Sequence, residues 1–444
     1  MAFARSFFQT LVTQLVTSAL AVVSGIFITR LLGPEGKGMY ALLQADINLL
    51  VLVLGVSLPA AIVFYVANGR LALGRLLTIT LGAHALGTVA AAAIVVGLRS
   101  TRMRDVFLPP STASWWHEIY IAAAFLLVSL CATISAIFQG RRAFRLVNVV
   151  SLIVAGVGVV VYGSLYVWRV KGPHPPIDRV LAASLALYGM TATLWMALYA
   201  WRVGVWPDRV RDLRRDVQDL WGYLTITHVA SLIQFLNYQL DVWLVGYFWN
   251  ETELGFYATA VGTAQLLWLI AQPIASVLFP YISSGDESES RAAFELGSRV
   301  CFSLTLLLSL VMVALAELLI PAVYGQAFSP SVASLRILLP GVLVGSVTKV
   351  FAAFIAARGG VRYNLIGSVV GVAFTLVLDL MLIPRWGGRG AAVATVVSYL
   401  AIWLVCAWTV VRVFRVPIRR AFLITPADVR TLIDRLATGR ALLR

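Results

Sequence analysis

The chain has 444 residues, of which 60% are hydrophobic and only 12% are charged, and its mean hydropathy is +0.89. This composition excludes an ordinary soluble globular domain and indicates a membrane protein. The formal net charge of +15 does not indicate nucleic-acid binding, because the basic residues lie mainly in connectors where an anionic membrane surface would meet them.

Apolar runs long enough to cross about 30 Å of hydrocarbon recur about twelve times along the chain. They lie near 8–29, 39–66, 76–98, 118–138, 146–168, 180–201, 221–248, 254–280, 299–321, 336–357, 363–384 and 390–412. Backbone amides find no water in hydrocarbon, and runs of about 20 residues are too long for barrel strands. The predicted fold class is therefore an all-α polytopic membrane protein with about twelve transmembrane helices.

Basic residues are distributed unequally between the two sides that these helices define. If both termini lie on one side, that side carries roughly twice as many Lys and Arg residues as the other. Such an excess marks the cytoplasmic side of a membrane protein. We therefore predict a multi-pass protein with both termini in the cytoplasm.

A short motif recurs at half the length of the chain. GMYA at 38–41 is matched by GFYA at 255–258, and Arg145 is matched by Arg362, each 217 residues later. This offset carries helix 1 onto helix 7, so both copies enter the membrane in the same direction. Parallel repeats are related by an axis along the membrane normal. We predict two six-helix lobes related by a parallel pseudo-two-fold axis, with the substrate between them.

The repeat divides the chain into four parts. We expect an amino-terminal lobe over 1–201, a cytoplasmic linker over 202–220, a carboxy-terminal lobe over 221–412 and a basic tail over 413–444. The linker has apolar residues at helical spacing among arginines and aspartates, which is typical of a helix on the membrane surface. The tail offers a candidate helix cap at Thr425 and is expected to lie on the anionic inner leaflet.

Charged residues inside the predicted helices are few. A charge near the bilayer centre costs roughly 2.5 to 3.5 kcal/mol on insertion scales, so it should face the protein interior or a wet cavity. Asp46, Asp241 and Asp379 are all about 8 to 11 Å below the same predicted surface, at 1.5 Å of rise per residue. They either bind a coupling H⁺ or Na⁺, or are neutralised by neighbouring helices and only fix the packing.

Five further segments, taken in chain order, carry a resemblance to a known family. They are RLLGPEGKGMYAL at 30–42, ELGFYATA at 253–260, IPAVYGQAFSPSVASLRILLPG at 320–341, AARGGVRYN at 356–364 and IPRWGGRGAAVAT at 383–395. Together they resemble the polysaccharide transporter family, the Wzx-type flippases of lipid-linked oligosaccharides. This family belongs to the multidrug/oligosaccharidyl-lipid/polysaccharide (MOP) exporter superfamily, with the MATE exporters and the lipid II flippase MurJ.

The resemblance implies a MATE/MurJ-like bundle that moves undecaprenyl-diphosphate-linked oligosaccharide units across the bacterial inner membrane. The units would pass from the cytoplasmic to the periplasmic leaflet by ion-coupled alternating access, for O-antigen, capsule or exopolysaccharide synthesis. Implied partners are the membrane lipids, a polymerase and a chain-length regulator. The chain departs from the family where Val242 follows Asp241 instead of Arg, and where Asp379 replaces Asn. Both departures leave the coupling ion, H⁺ or Na⁺, open.

The diphosphate of such a substrate needs cations. Lys349 is the one basic residue deep in a predicted helix, so we predict that it contacts the diphosphate, with a salt bridge to an aspartate as the alternative. Arg30 matches a recurrent Arg of the family and is the second candidate, with an interfacial anchor as its alternative. Gln234 and Asn237, on the helix of Asp241, are expected to hydrogen-bond the substrate.

Three other functions are alternatives for a polytopic membrane protein of this kind. A multidrug exporter of the same superfamily would need a largely apolar pocket with acidic residues and without phosphate-binding cations. A lipid II flippase would have two further helices. A membrane polymerase or glycosyltransferase would need catalytic groups in a sizeable outer loop, but the outer connectors are short, and no Asp-x-Asp motif is present. We therefore expect no enzyme, no catalytic residue, no metal and no cofactor.

Overall fold

The computed structural model describes residues 2–69, 71–101, 103–108, 114–168, 176–208, 213–418 and 421–425. Within these residues all regular structure is helical, as the composition predicts. The helices are α1 (Ala2–Gly55), α2 (Leu58–Asn68), α3 (Leu73–Leu98), α4 (Arg104–Phe107), α5 (Trp115–Gly140), α6 (Phe144–Trp168), α7 (Pro176–Arg202), α8 (Leu213–Phe248), α9 (Glu251–Ala264), α10 (Trp268–Ser284), α11 (Glu287–Tyr324), α12 (Ser331–Ala357) and α13 (Val361–Trp408).

Nine stretches of the described chain are long and apolar enough to cross a membrane. Two of them, Gln9–Gly55 and Val361–Val413, contain 47 and 53 residues. At 1.5 Å per residue they measure about 70 to 80 Å, more than twice the hydrocarbon thickness, so each holds two spans. With α8, which has 36 residues and more polar side chains, these stretches supply the twelve predicted spans. The chain is a multi-pass membrane protein.

Glycines in the left-handed region mark the kinks inside both long helices. Gly33 has φ 67° in α1 and Gly387 has φ 56° in α13, a conformation that a side chain would strain. The sequence predicts a connector at 33–38, between the spans at 8–29 and 39–66, but the structure has no loop there, because the helix resumes directly at Pro34. Proline suits a first helical position, since its φ is already helical and its missing amide hydrogen has no partner there.

The acidic segment before α11 also differs from the prediction. The sequence predicts a connector at 284–290 and a helix only from about 299, whereas α11 begins at Glu287. Glu287 and Glu289 lie in its first turn, where negative charge is stabilised by the helix dipole. The carboxylates therefore extend the helix beyond its apolar part instead of ending it.

The chain forms two compact units. We call Phe8–Tyr247 the amino-terminal unit, and Phe248–Arg444 together with Met1–Phe7 the carboxy-terminal unit. Almost all of α8 groups with the amino-terminal unit, although the repeat assigns this helix to the second lobe. The lobes over 1–201 and 221–412 remain a prediction from the repeat.

Part of the predicted linker is tied to α3 in the amino-terminal unit. The amide of Asp208 donates to the carbonyl of Gly74 at 3.1 Å, and the Thr78 hydroxyl donates to the Asp208 carbonyl at 2.7 Å. The linker residues from Leu213 onward form the first turns of α8. The predicted tail helix after Thr425 lies outside the described residues.

The 217-residue offset reappears in the hydrogen bonds that follow α5 and α12. In both places two amides just beyond the helix donate to carbonyls of its last turn. The pairs are Arg142 to Gln139 (2.9 Å) and Ala143 to Phe138 (2.9 Å) after α5, and Gly359 to Ala356 (3.0 Å) and Gly360 to Ile355 (2.8 Å) after α12. This is the Schellman arrangement, which needs a left-handed residue after the helix. Arg142 with φ 59° and Gly359 with φ 78° supply it at equivalent positions.

This equivalence predicts opposite effects of two substitutions. Gly359→Ala should lower the free energy of unfolding by about 1 kcal/mol, because a Cβ is strained at positive φ. Arg142→Gly should raise the thermal unfolding midpoint, because it removes the same strain in the other repeat. Thermal unfolding of the purified protein in detergent measures both. Gly262→Ala is the control, since a Cβ there meets nothing within 4 Å; an unchanged midpoint for Gly359→Ala would contradict the prediction.

Candidate functional site

The first predicted ion-coupling residue, Asp46, lies against Trp243. Asp46 is on α1 and only 6% exposed, and its Oδ1 accepts a 2.7 Å hydrogen bond from Trp243 Nε1 of α8. The indole packs near the rings of Phe107 and Phe235, with centroids 5.8 and 5.9 Å away. A carboxylate in such apolar surroundings is poorly compensated by one neutral donor.

Asp46 also faces a cavity of about 120 Å³ in the amino-terminal unit. The other residues of its wall are apolar: Leu49, Leu50, Ile94, Val95, Leu98, Phe107, Leu108 and Ile121. The second carboxylate oxygen, Oδ2, is buried and has no hydrogen-bond partner among the described residues. A cavity of this size has room for several waters. The carboxylate therefore borders unfilled space inside the amino-terminal unit.

Asp241 lies on α8, two residues before the tryptophan that binds Asp46. Asp241 and Asn237 are one helical turn apart and each is 8% exposed, whereas Gln234 on the same helix is exposed. The short rise from Asp241 to Trp243, about 3 Å along the helix, brings Asp46 and Asp241 to neighbouring levels of the amino-terminal unit.

Asp379 belongs to the carboxy-terminal unit and is completely buried in α13. One turn earlier, the Thr375 hydroxyl shares a 2.7 Å hydrogen bond with that of Ser398, which follows the kink at Gly387 in the same helix. The three predicted ion-coupling aspartates are thus divided between the units, with two in the first and one in the second.

Lys349, the first candidate for the diphosphate, lies on an aromatic surface of the carboxy-terminal unit. Its Nζ is 4.2 Å from the centroid of the Trp268 ring, and Trp268 packs 6.2 Å from the ring of Tyr399. An indole face stabilises a cation electrostatically. Trp268 starts α10 directly after a 3₁₀ turn at Gln265–Leu267. Such a mid-helix irregularity often marks a hinge.

Arg30, the second candidate, is exposed on α1, three residues before the kink at Gly33. Its Nη1 donates a long 3.5 Å hydrogen bond to the hydroxyl of Tyr166 on α6, whose ring packs 5.7 Å from that of Phe27. Arg30 belongs to the amino-terminal unit and Lys349 to the carboxy-terminal unit.

Sequence reasoning missed the aromatic partners of these charges. Trp243 is 197 residues from Asp46 and Trp268 is on a different helix from Lys349, so neither pairing has a local signal. One further set of polar residues does have a pattern in the sequence. Tyr40, Gln44 and Asn48 recur at helical spacing on the predicted second helix, which places them on one helical face.

Together, the helices and these intramembrane charges define a multi-pass helical membrane protein, and its fold is similar to that of a solved MOP superfamily transporter. A multidrug resistance MATE family transporter in an inward-facing conformation aligns with 90% of this chain and 95% of its own, with a TM-score of 0.68 and 15% identity. The lipid II flippase MurJ aligns with 95% of this chain and 92% of its own, with a TM-score of 0.64 and 14% identity. At these identities the likeness shows the fold.

The chain belongs to the polysaccharide biosynthesis protein family, whose family model matches residues 3–285. The "Probable low-salt glycan biosynthesis flippase Agl15" of Haloferax volcanii is 25% identical over 230 residues, which are 50% of this chain and 48% of that protein. The uncharacterized membrane protein YabM of Bacillus subtilis is 26% identical over 305 residues, 64% of this chain and 57% of that protein. The chain thus spans about half the length of the curated relatives it matches. The family predicted from the ordered segments is confirmed.

Proposed function

We propose that the protein is a flippase that carries a lipid-linked glycan across the membrane by alternating access. The family match over residues 3–285, a glycan flippase among the relatives and the transporter fold support this function. The proposed substrate is an undecaprenyl-diphosphate-linked oligosaccharide that moves from the cytoplasmic to the periplasmic leaflet of a bacterial inner membrane, with both termini of the protein cytoplasmic. A polymerase and a chain-length regulator of surface polysaccharide would then act on the glycan.

The observation that carries this proposal is the position of Lys349. It lies within a membrane-spanning helix, α12, and rests on Trp268 at 4.2 Å. A lysine in that setting is expensive unless a protein partner, a ligand or a wet cavity stabilises it, and a diphosphate is a ligand that uses a positive point charge. A multidrug exporter, the second candidate, would have no need of a cation there.

Ion coupling is proposed to run through the buried aspartates. Asp46 faces a small cavity, and its Oδ2 atom accepts no hydrogen bond from any described residue. Asp241 is buried elsewhere in the amino-terminal unit, and Asp379 is buried in the carboxy-terminal unit. Binding of H⁺ or Na⁺ would remove the negative charge and ease the movement of these helices through apolar surroundings. No covalent step is proposed, since the glycan would be carried intact.

Complementation tests the proposed function directly. Expression of the full chain in a strain that lacks its own flippase for the same glycan should restore surface polysaccharide. Purified protein in vesicles should make the lipid-linked glycan accessible on the opposite leaflet without changing its mass. Multidrug resistance without restored polysaccharide would favour the exporter, and a changed mass of the glycolipid would indicate an enzyme.

A further inference from the structure

The part of α1 after the kink carries a polar stripe outside the sites described above. Lys37, Tyr40, Gln44 and Asn48 follow one another at spacings of three or four residues, so they lie on one helical face. Asn48 is exposed, and the other three are partly exposed. Amides and amines are costly against acyl chains. The stripe is therefore unsuited to contact with acyl chains, whereas Asp46 lies on the buried side of the same helix.

Tyrosine side chains gather around Gln44. Gln44 Nε2 donates to the Tyr120 hydroxyl at 2.9 Å, and the Tyr188 hydroxyl donates a longer bond to Gln44 Oε1 at 3.5 Å. Tyr40 lies one turn before Gln44 on the same helical face and is partly exposed. Helices α5 and α7 thus each place a tyrosine hydroxyl beside one amide of α1.

The buried members of this group fix the accessible ones. Tyr120 is fully buried and holds the Gln44 amide, while the Tyr162 hydroxyl shares a 2.8 Å hydrogen bond with Ser184 Oγ. Ser184 also donates to the carbonyl of Val180 at 2.8 Å. The Tyr162 hydroxyl is thereby engaged within the unit, and Tyr120 orients the Gln44 amide. We call Tyr120 and Tyr162 the inner layer, and Tyr40, Gln44 and Tyr188 the outer layer.

In the outer layer, Gln44 and Tyr188 can still form hydrogen bonds with a ligand. Gln44 makes two hydrogen bonds within the described residues and retains a second amide N–H, and the Tyr188 oxygen can still accept. Neutral donors, neutral acceptors and aromatic faces are what a sugar ring needs, since its hydroxyls both donate and accept and its C–H face packs on aromatic rings.

We propose that Tyr40, Gln44 and Tyr188 form a sugar-binding surface in the amino-terminal unit, which holds a glycosyl unit of the lipid-linked substrate. The proposal rests on the proposed function and adds a second recognition element to it. These three side chains would distinguish glycosylated lipid from bare lipid.

Binding to the purified full chain tests this surface. The probes are undecaprenyl diphosphate and the lipid-linked oligosaccharide pool extracted from producing cells that lack the gene. The wild type should bind the pool more tightly than the bare lipid. Gln44→Ala and Tyr188→Phe should each weaken binding of the pool about 3- to 10-fold, the value of one or two neutral hydrogen bonds, and leave binding of the bare lipid unchanged.

Tyr162→Phe is the matched control, because it removes a tyrosine hydroxyl of the inner layer that is bonded to Ser184. It should lower the thermal midpoint without removing the preference for the pool. Equal binding of pool and bare lipid by the wild type, or equal weakening of both by Gln44→Ala, would overturn the sugar-binding surface alone. Failure of both probes to bind would instead count against the proposed function. Sodium-dependent stabilisation that the outer variants abolish, without a sugar effect, would identify a cation site and also overturn the proposal.

Discussion

Lys349→Gln should lower transport of the lipid-linked glycan about 10- to 100-fold, the value of one lost hydrogen bond to a charged group. The substitution keeps a polar side chain of similar length over Trp268 but removes the charge that a diphosphate would use. Surface polysaccharide in a complemented flippase-deficient strain measures the effect, with the amount of protein in the membrane determined in parallel.

Two variants show whether the charge itself is responsible. Lys349→Arg keeps the charge and can still stack on Trp268, so it should retain part of the activity, although a planar guanidinium does not reproduce an ammonium. Arg336→Gln changes a cation of the same helix that is 41% exposed and paired at 2.9 Å with Glu317, itself 76% exposed. Exposed pairs contribute little, so this variant should resemble the wild type. Full activity of Lys349→Gln would remove Lys349 from the site.

The helical architecture could be predicted because it follows from local properties of the chain. Apolar runs of spanning length, the positive charge of alternate connectors and the repeat at 217 residues are all present in the sequence. The structure adds a similarity between the repeats that the sequence motif does not show, because the turns at Arg142 and Gly359 have the same pattern of hydrogen bonds. Hydropathy does not reveal that Arg142 and Gly359, at equivalent positions of the repeat, both have positive φ.

Breaks within helices were harder to predict than the helices themselves. The sequence predicts one uninterrupted span over 39–66, but Val56 and Ser57 have positive φ and separate α1 from α2. Neither residue type favours that conformation. Tertiary packing must therefore impose the break, and single-residue preferences cannot show it.

The sequence likewise reveals some residues of the candidate site and not others. The rare charges Asp46 and Lys349 could be found, because a charge in an apolar run is conspicuous and expensive. Their aromatic partners could not, since Trp243 and Trp268 are two among thirteen tryptophans, most of which an interfacial belt would explain equally well. The contacts that give each charge its chemistry depend on helix packing across long sequence separations.

Asp46→Asn should abolish gradient-driven transport and leave the fold intact. The asparagine oxygen can still accept the hydrogen bond from Trp243 Nε1, so the packing of α1 against α8 is preserved. The amide cannot bind a proton and is a poorer ligand for Na⁺, so coupling at this position would be lost. Transport in vesicles, with the proton and sodium gradients imposed separately, measures the effect and identifies the ion.

Trp243→Phe is the complementary variant, because it removes the indole donor and keeps the carboxylate beside its cavity. It should cost about 1 to 3 kcal/mol of stability, the penalty for leaving a buried acceptor unsatisfied, while transport should still respond to the gradient. If Asp46 only fixes packing, the variant with the larger defect should be Trp243→Phe and not Asp46→Asn. Asp46→Asn would then transport normally under either gradient, and Trp243→Phe would show the larger defect, through a lower thermal midpoint and less protein in the membrane. That pattern would move the coupling role to Asp241 or Asp379, whose asparagine variants can be measured in the same vesicles.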